Sequence, residues 1–185
     1  MKKVIVITGT PGSGKTTIAI ELSRRLDRSQ LISVNQVVKE KRLFSSYSKD
    51  GARIVKLNGL RKELERRISA SKTTVILDGH LLCEMRIKGA TAIVIREHLS
   101  ILKSRLLKRG YSIGKTRDNI VSEAIDYCGE KARQNYPKTF EMLSGKNATT
   151  SILKIINGKR SEGPYIDMLR ELPDLIKKDK RFAIG

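Results

Sequence analysis

The chain has 185 residues, 39% apolar and 31% charged, and 38 Lys plus Arg against 19 Asp plus Glu give it a formal net charge of +19. That length fits one domain (1–185) with a proper core, and that balance excludes a disordered chain. No apolar run exceeds four residues, too short for a membrane span or a secretory leader, so a monomeric cytoplasmic protein is expected.

The run VIVI at residues 4–7 reads as a strand buried on both faces. After a glycine-rich segment, Ile18, Ala19, Leu22 and Leu26 recur at helical spacing. LISV (31–34) reads as a second strand. A helix follows a basic stretch, carrying Leu60, Leu64 and Ile68, with Asn58 as its cap. TVIL (74–77) and AIVI (92–95) are the third and fourth strands, and a helix bearing Leu99, Leu102 and Leu106 comes after the fourth. Ile120, Val121, Ala124, Ile125 and Cys128 make one apolar helical stripe. ILKII (152–156) is the fifth strand, and a C-terminal helix takes Pro164 in its first turn, with Pro173 breaking or kinking it. Strands alternating with helices call for an α/β fold with a parallel sheet covered on both faces. Cys83 and Cys128 match no metal-ligand or redox spacing and read as small buried hydrophobes.

GTPGSGKT, Gly9 to Thr16, fits the phosphate-loop pattern and has its context, a buried strand before and an amphipathic helix after. Glycines there let backbone N–H groups converge on phosphate oxygens, and the helix N-terminus favours the same anion. Lys15 would reach the β- and γ-phosphates of ATP, and the Thr16 hydroxyl would ligate Mg²⁺. A second GKT, Gly114 to Thr116, fails: the partner position is Arg109, and a helix precedes it. Asp78 ends the third strand, where an NTPase holds Mg²⁺, usually through water; the other reading is a turn Asp in an Asp-Gly pair. His80 either orients water or a hydroxyl near the γ-phosphate or is an exposed loop histidine. Arg105, Arg109, Lys115 and Arg117 crowd a short loop with Gly110 and Gly114 as hinges, either a lid (108–118) closing on phosphates or a basic surface turn.

TGTPGSGKTT, ISVNQVVKEKRL, LDGH and RLLKRGYSIGKTRDNI occur in an order that resembles the adenylate-kinase-like ATPases of small-ribosomal-subunit maturation. That group includes a nuclear coilin-interacting ATPase and archaeal proteins named putative adenylate kinases; the likeness covers roughly residues 4–125. It implies a P-loop NTPase fold of the nucleoside-monophosphate-kinase type with strand order 2-3-1-4-5 and a monophosphate-binding segment at 30–56. It implies ATP held by Gly12, Ser13, Gly14, Lys15, Thr16 and Thr17, with Arg109 closing from the lid and the loop near Lys159 against adenine. It implies hydrolysis served by Asp78 and His80, AMP or another nucleoside monophosphate as acceptor, and a platform protein of the small ribosomal subunit as partner. The chain departs from the pattern at Gln36 and Lys39, where relatives carry Asp and Arg, and a lysine cannot fork onto phosphate. The helix after the lid has no arginine before Arg133.

The basic surplus suits rRNA on one face or a solvated lysine-rich surface; aromatic residues are only 4%, and none interleave the charges to stack bases. The other functional reading is a P-loop small-molecule kinase with no ribosomal role. Against shikimate kinase stands the lack of any Gly-Gly pair, and against a GTPase the lack of an N/T-K-x-D motif.

Overall fold

The computed structural model describes residues 2–47, 53–159 and 166–182. Strand β1 (Val4–Thr8) leads through the glycine-rich segment into α1 (Lys15–Arg25), β2 (Ser29–Ser33) and α2 (Val34–Glu40). An antiparallel hairpin, β3 (Phe44–Tyr47) and β4 (Arg53–Val55), precedes α3 (Leu57–Ala70) and β5 (Thr74–Asp78). A 3₁₀ turn (His80–Glu84) joins β5 to β6 (Ala90–Arg96), followed by α4 (Leu99–Lys108), α5 (Ile113–Ala124) and α6 (Tyr127–Asn135). The chain closes with β7 (Thr139–Leu143), α7 (Ala148–Ile156) and α8 (Leu172–Lys178).

Five strands form one sheet in the order β2-β5-β1-β6-β7, every pairing parallel. Counting only these strands along the chain, the order is 2-3-1-4-5, as expected. The unbroken apolar runs are explained by two cores, since a strand covered on both faces has no solvent side. On β1, Val4 and Val6 face α2, α3 and α6, while Ile5 and Ile7 face α1 and α7. A third core joins α4, α5 and the C-terminal segment through Leu99, Ile120, Met168, Leu172 and Phe182. No helix among the described residues is long and apolar enough to cross a membrane.

Five expectations are corrected. ILKII is not a strand: residues 152–156 end α7, whose Ala148, Ile152 and Ile155 bury one helical face on the sheet. The fifth strand is TFEML, an edge strand with only Glu141 and Met142 buried, which is why its sequence carries so little pattern. The stripe from Ile120 to Cys128 spans two helices, because Asp126 adopts a left-handed backbone (φ 55°) between them and leaves Ile125 exposed. Pro173 lies in the first turn of α8 instead of breaking a helix; Pro164 falls outside the described residues, as do residues 48–52 of the expected monophosphate-binding segment. The loop between α4 and α5 is only residues 109–112, because Ser112 caps α5 by accepting from the Lys115 N–H at 3.2 Å. Asn58, expected as a cap, sits inside the first turn of α3, behind Lys56.

Candidate nucleotide site

At the C-terminal edge of the sheet, β1 turns sharply at Gly9, where φ is 140° and an added Cβ would stand 2.3 Å from the Ile95 carbonyl oxygen. Only glycine fits so near a neighbouring strand's backbone. The loop ends at Gly14, the N-cap of α1, again with positive φ (93°). That cap supplies no side-chain acceptor, and the first turn of α1 holds no acidic residue. The N–H groups of Lys15, Thr16 and Thr17 therefore face outward with the positive end of the helix dipole, a ready anion site. Beneath them Ser13 is buried, its hydroxyl without a hydrogen-bond partner among the described residues.

Lys15 folds back over this loop, and its Nζ donates to the Thr10 carbonyl at 3.2 Å. Burial pulls its pKa below the ordinary lysine value, and the charge of nearby Asp78 opposes that pull. Asp78 lies beside the loop because β5 pairs with β1 in the register Ile7↔Asp78. The Thr16 hydroxyl donates to Asp78 Oδ2 at 2.8 Å, while Oδ1 is buried with no partner among the described residues. Burial raises the Asp78 pKa, and the Thr16 hydrogen bond and the Lys15 charge act against it. A hydroxyl and a carboxylate with an unpartnered oxygen are hard donors suited to Mg²⁺. Among the described residues no three His, Cys, Asp or Glu side chains form a metal cluster. The remaining ligands would therefore come from phosphate and water, as Mg²⁺ ordinarily takes them.

His80 follows at the start of the 3₁₀ turn, its carbonyl accepting from the Thr8 hydroxyl at 3.2 Å. Burial, with a smaller contribution from Lys15, pushes its pKa down to about 4. The imidazole is neutral at physiological pH and is equipped to accept a proton or orient a hydroxyl. His80 also lines a cleft of about 340 Å³ between Thr10–Pro11, the 3₁₀ turn and α5–α6, together with Tyr111, Lys115, Asn119 and Tyr127.

Arg109 lies at the C-terminal cap of α4, exposed, with its charge felt at Lys15. The arginine that touches the phosphate loop is Arg105, whose Nη1 donates to the Gly12 carbonyl at 3.1 Å and pairs with buried Glu97 at 2.6 Å. Lys159 sits at the opposite edge of the sheet: it lies three residues past the end of α7, where Lys3, just before β1, donates to the Ile156 carbonyl. The loop that follows the true fifth strand begins at Ser144, and a Cβ built on Gly14 would lie 3.6 Å from the Ser144 Cβ. This loop, residues 144–147, flanks the phosphate loop where Lys159 was expected.

A buried ionic network underlies the site, and nothing in the local sequence announced it. The Thr10 hydroxyl, inside the phosphate loop, donates to Glu123 of α5. Glu123 also accepts from Arg96 Nε at 2.9 Å and from the Glu97 N–H at 3.0 Å. Arg96, 1% exposed, pairs as well with Asp126 and Glu141, and Arg133 binds the same two carboxylates and Glu130. The one available sequence signal is an arginine ending the apolar run AIVIR.

Residues 5–126 match the sequence family described as AAA domain. A protein of Methanocaldococcus jannaschii named "Putative adenylate kinase" is 31% identical over 174 residues, covering 93% of this chain and 96% of that one. Namesakes from Methanosarcina barkeri (34%, covering 78% and 79%) and Pyrococcus furiosus (30%, covering 83% and 82%) are also similar. Among solved structures, shikimate kinase from Acinetobacter baumannii in complex with shikimate superposes with a TM-score of 0.63 at 14% identity, covering 86% of this chain and 96% of that one. The tunicamycin resistance protein of Deinococcus radiodurans gives 0.60 at 15% identity, covering 89% and 100%. At such identity these two structures speak to the fold alone.

Proposed function

The chain belongs to the adenylate-kinase-like P-loop family, and from that premise we propose a Mg²⁺-dependent phosphotransferase that passes the terminal phosphoryl of ATP to AMP or a related nucleoside monophosphate, and to water when no such acceptor is bound. The observation that carries this reading is the pairing of an uncapped α1 N-terminus with the Thr16–Asp78 contact of 2.8 Å. Together they offer an anion site with a hard-cation site at its rim.

The first-turn amides of α1 bind and orient the phosphates, and the Lys15 ammonium, already partly desolvated, moves from the Thr10 carbonyl to phosphate oxygens. Thr16 and Asp78 would hold Mg²⁺, which screens the charge shared between the β- and γ-phosphates. Neutral His80, two residues beyond Asp78, takes up or orients the proton of the attacking hydroxyl or water. Arg109 closes from the end of α4, and residues 144–147 together with Arg105 border the base side. The resemblance and the +19 charge extend the reading to maturation of the small ribosomal subunit, with a platform protein and rRNA as partners. Binding of an rRNA fragment that falls steeply with salt supports that extension; flat affinity from low to physiological salt removes it.

Phosphorus NMR of Mg·ATP, with and without equimolar AMP and with Lys15→Ala as the blank, tests the core proposal. ADP forming without free phosphate only when AMP is present marks a kinase; free phosphate regardless of AMP marks an ATPase. Loss of Lys15 removes roughly 2.7–4 kcal/mol of transition-state stabilisation, by analogy with deletion of one oxyanion donor. Near-normal turnover of Lys15→Ala would remove the site assignment.

A further inference from the structure

We propose that Cys83 and Cys128 form a cleft-lining dithiol that hydroperoxides convert reversibly to an intramolecular disulfide. The two are 45 residues apart in sequence, on the 3₁₀ turn after β5 and on α6, yet their sulfurs are 3.5 Å apart. These elements pack directly on each other, so the approach is built into the fold. A disulfide needs about 2.0 Å between sulfurs, so from 3.5 Å the gap to close is about 1.5 Å, within reach of side-chain rotation. Both thiols are buried against bulk solvent, but both line the cleft of about 340 Å³ beside Thr10 and His80. A small oxidant entering that cleft meets the pair directly, whereas two thiols sealed in a core would be inert.

The surroundings of the two sulfurs differ. The reduced Cys83 thiol donates to the His80 carbonyl at 3.1 Å and to the Cys128 sulfur at 3.5 Å; once ionised, Cys83 would accept from the Cys128 thiol, a pairing that pulls its pKa below the ordinary cysteine value and, with burial, raises that of Cys128. Either order of attack yields the same disulfide; the proposed order has Cys83 attack first and Cys128 resolve. The Cys83 thiolate attacks the distal peroxide oxygen; an S–O bond forms, the O–O bond breaks and the alcohol or water leaves with a proton. Cys128 sulfur then attacks Cys83 sulfur, the S–S bond forms, and the S–O bond breaks to release water carrying the Cys128 proton. Two thiols are oxidised and one hydroperoxide is reduced. The product would staple the turn bearing His80 to α6. The proposal does not depend on which phosphoryl acceptor the chain uses.

Hydrogen peroxide added to the folded full-length protein, followed by alkylation and peptide mass mapping, tests it. The expected result is loss of both free thiols together, a crosslinked Cys83–Cys128 peptide, and full return of the thiols on adding dithiothreitol. Cys128→Ala, shown folded by circular dichroism, should instead trap a sulfenic acid on Cys83 that dimedone labels. Retention of both thiols at peroxide levels that oxidise an exposed thiol peptide would overturn the proposal. So would oxidation seen only in urea, or crosslinks only between molecules.

Discussion

Gly79 lies between Asp78 and His80, and its φ of 170° is extended backbone that any residue can adopt. What excludes a side chain there is Val34: a Cβ built on Gly79 falls 2.5 Å from the Val34 Cβ and 2.8 Å from its Cγ2. Carbons pack at about 3.5–4.0 Å, so Gly79→Ala must open this contact by about 1 Å. Val34 is fully buried at the start of α2 and cannot retreat, so the displacement falls on the end of β5. Overpacking of this kind costs about 1–3 kcal/mol of stability. A misplacement of about 1 Å in a positioned catalytic group costs up to ~100-fold in rate. Both losses are expected in Gly79→Ala, read by urea unfolding and by turnover of Mg·ATP. Val34→Gly alone costs about 2–4 kcal/mol through the cavity it leaves. In the double variant the new methyl occupies the vacated space, so its loss should fall short of the sum by about 1 kcal/mol or more. Additivity within ~0.5 kcal/mol, or a Gly79→Ala protein as stable and active as the parent, would refute the reasoning.

Arg96→Met strips the shared cation from buried Glu123 and Glu141 and half-buried Asp126 and should destabilise by about 3–5 kcal/mol. Burial already pushes the Glu141 pKa up against the pull of Arg133 and Arg96, so with Arg96 gone urea midpoints should show the deficit shrinking at lower pH; a deficit independent of pH would mean the network is not carrying charge. His80 has its folded pKa depressed to about 4 from an ordinary 6.5, so it favours the fold fully above pH 6.5, and this support fades as pH falls toward 4. His80→Gln should flatten stability across that window, and His80→Ala should slow hydrolysis more than transfer to AMP. Equal losses in the two reactions would deny His80 a specific hold on water. Asp78→Asn should raise the Mg²⁺ concentration needed for half-maximal turnover at least tenfold, with an unchanged requirement counting against the Thr16–Asp78 assignment. Lys39→Arg should raise kcat/KM for AMP while leaving ATP hydrolysis as it was; no change would place the acceptor phosphate away from α2.

Sequence alone reached four of the five sheet strands: β1, β5 and β6 are apolar runs facing two cores, and β2, an edge strand burying only Ile32, was marked by Leu31 and Ile32 running into Val34 at the start of α2. It failed at the fifth because TFEML breaks its apolar residues with Thr139 and the buried Glu141, while α7, with the most apolar sequence of the helices, mimics a buried strand over ILKII. The placement of the phosphate loop and Asp78 was legible for a local reason: a fixed spacing and the end of one strand put them side by side. Arg105 was visible as part of a basic cluster, but its hold on the Gly12 carbonyl was not. The Thr10–Glu123 bond joins residues 113 apart, and the Cys83–Cys128 approach spans 45; no periodicity encodes either, since only the folded topology brings those elements together.

The same buried network bears on the choice between kinase and hydrolase. A monophosphate acceptor brings a second phosphate whose charge must be met close to the first. Arg96 and Arg133 lie behind the site, but both are committed to Glu123, Asp126, Glu130 and Glu141. Turning either toward an acceptor would leave buried carboxylates unpaired, at a cost of several kcal/mol. Two lysines stand in the expected monophosphate segment and in the cleft: exposed Lys39 on α2, and Lys115, its ammonium 5.0 Å from the Tyr111 ring centre. A lysine attracts a phosphate as a point charge without fixing its orientation. On the proposed reading the phosphate loop would grip ATP through rigid backbone, whereas Lys39 and Lys115 would meet the acceptor as flexible point charges. Under the proposed function, that asymmetry would favour water competing with AMP for the same phosphoryl group, so that both reactions would run at one site with the acceptor's residence time setting their ratio.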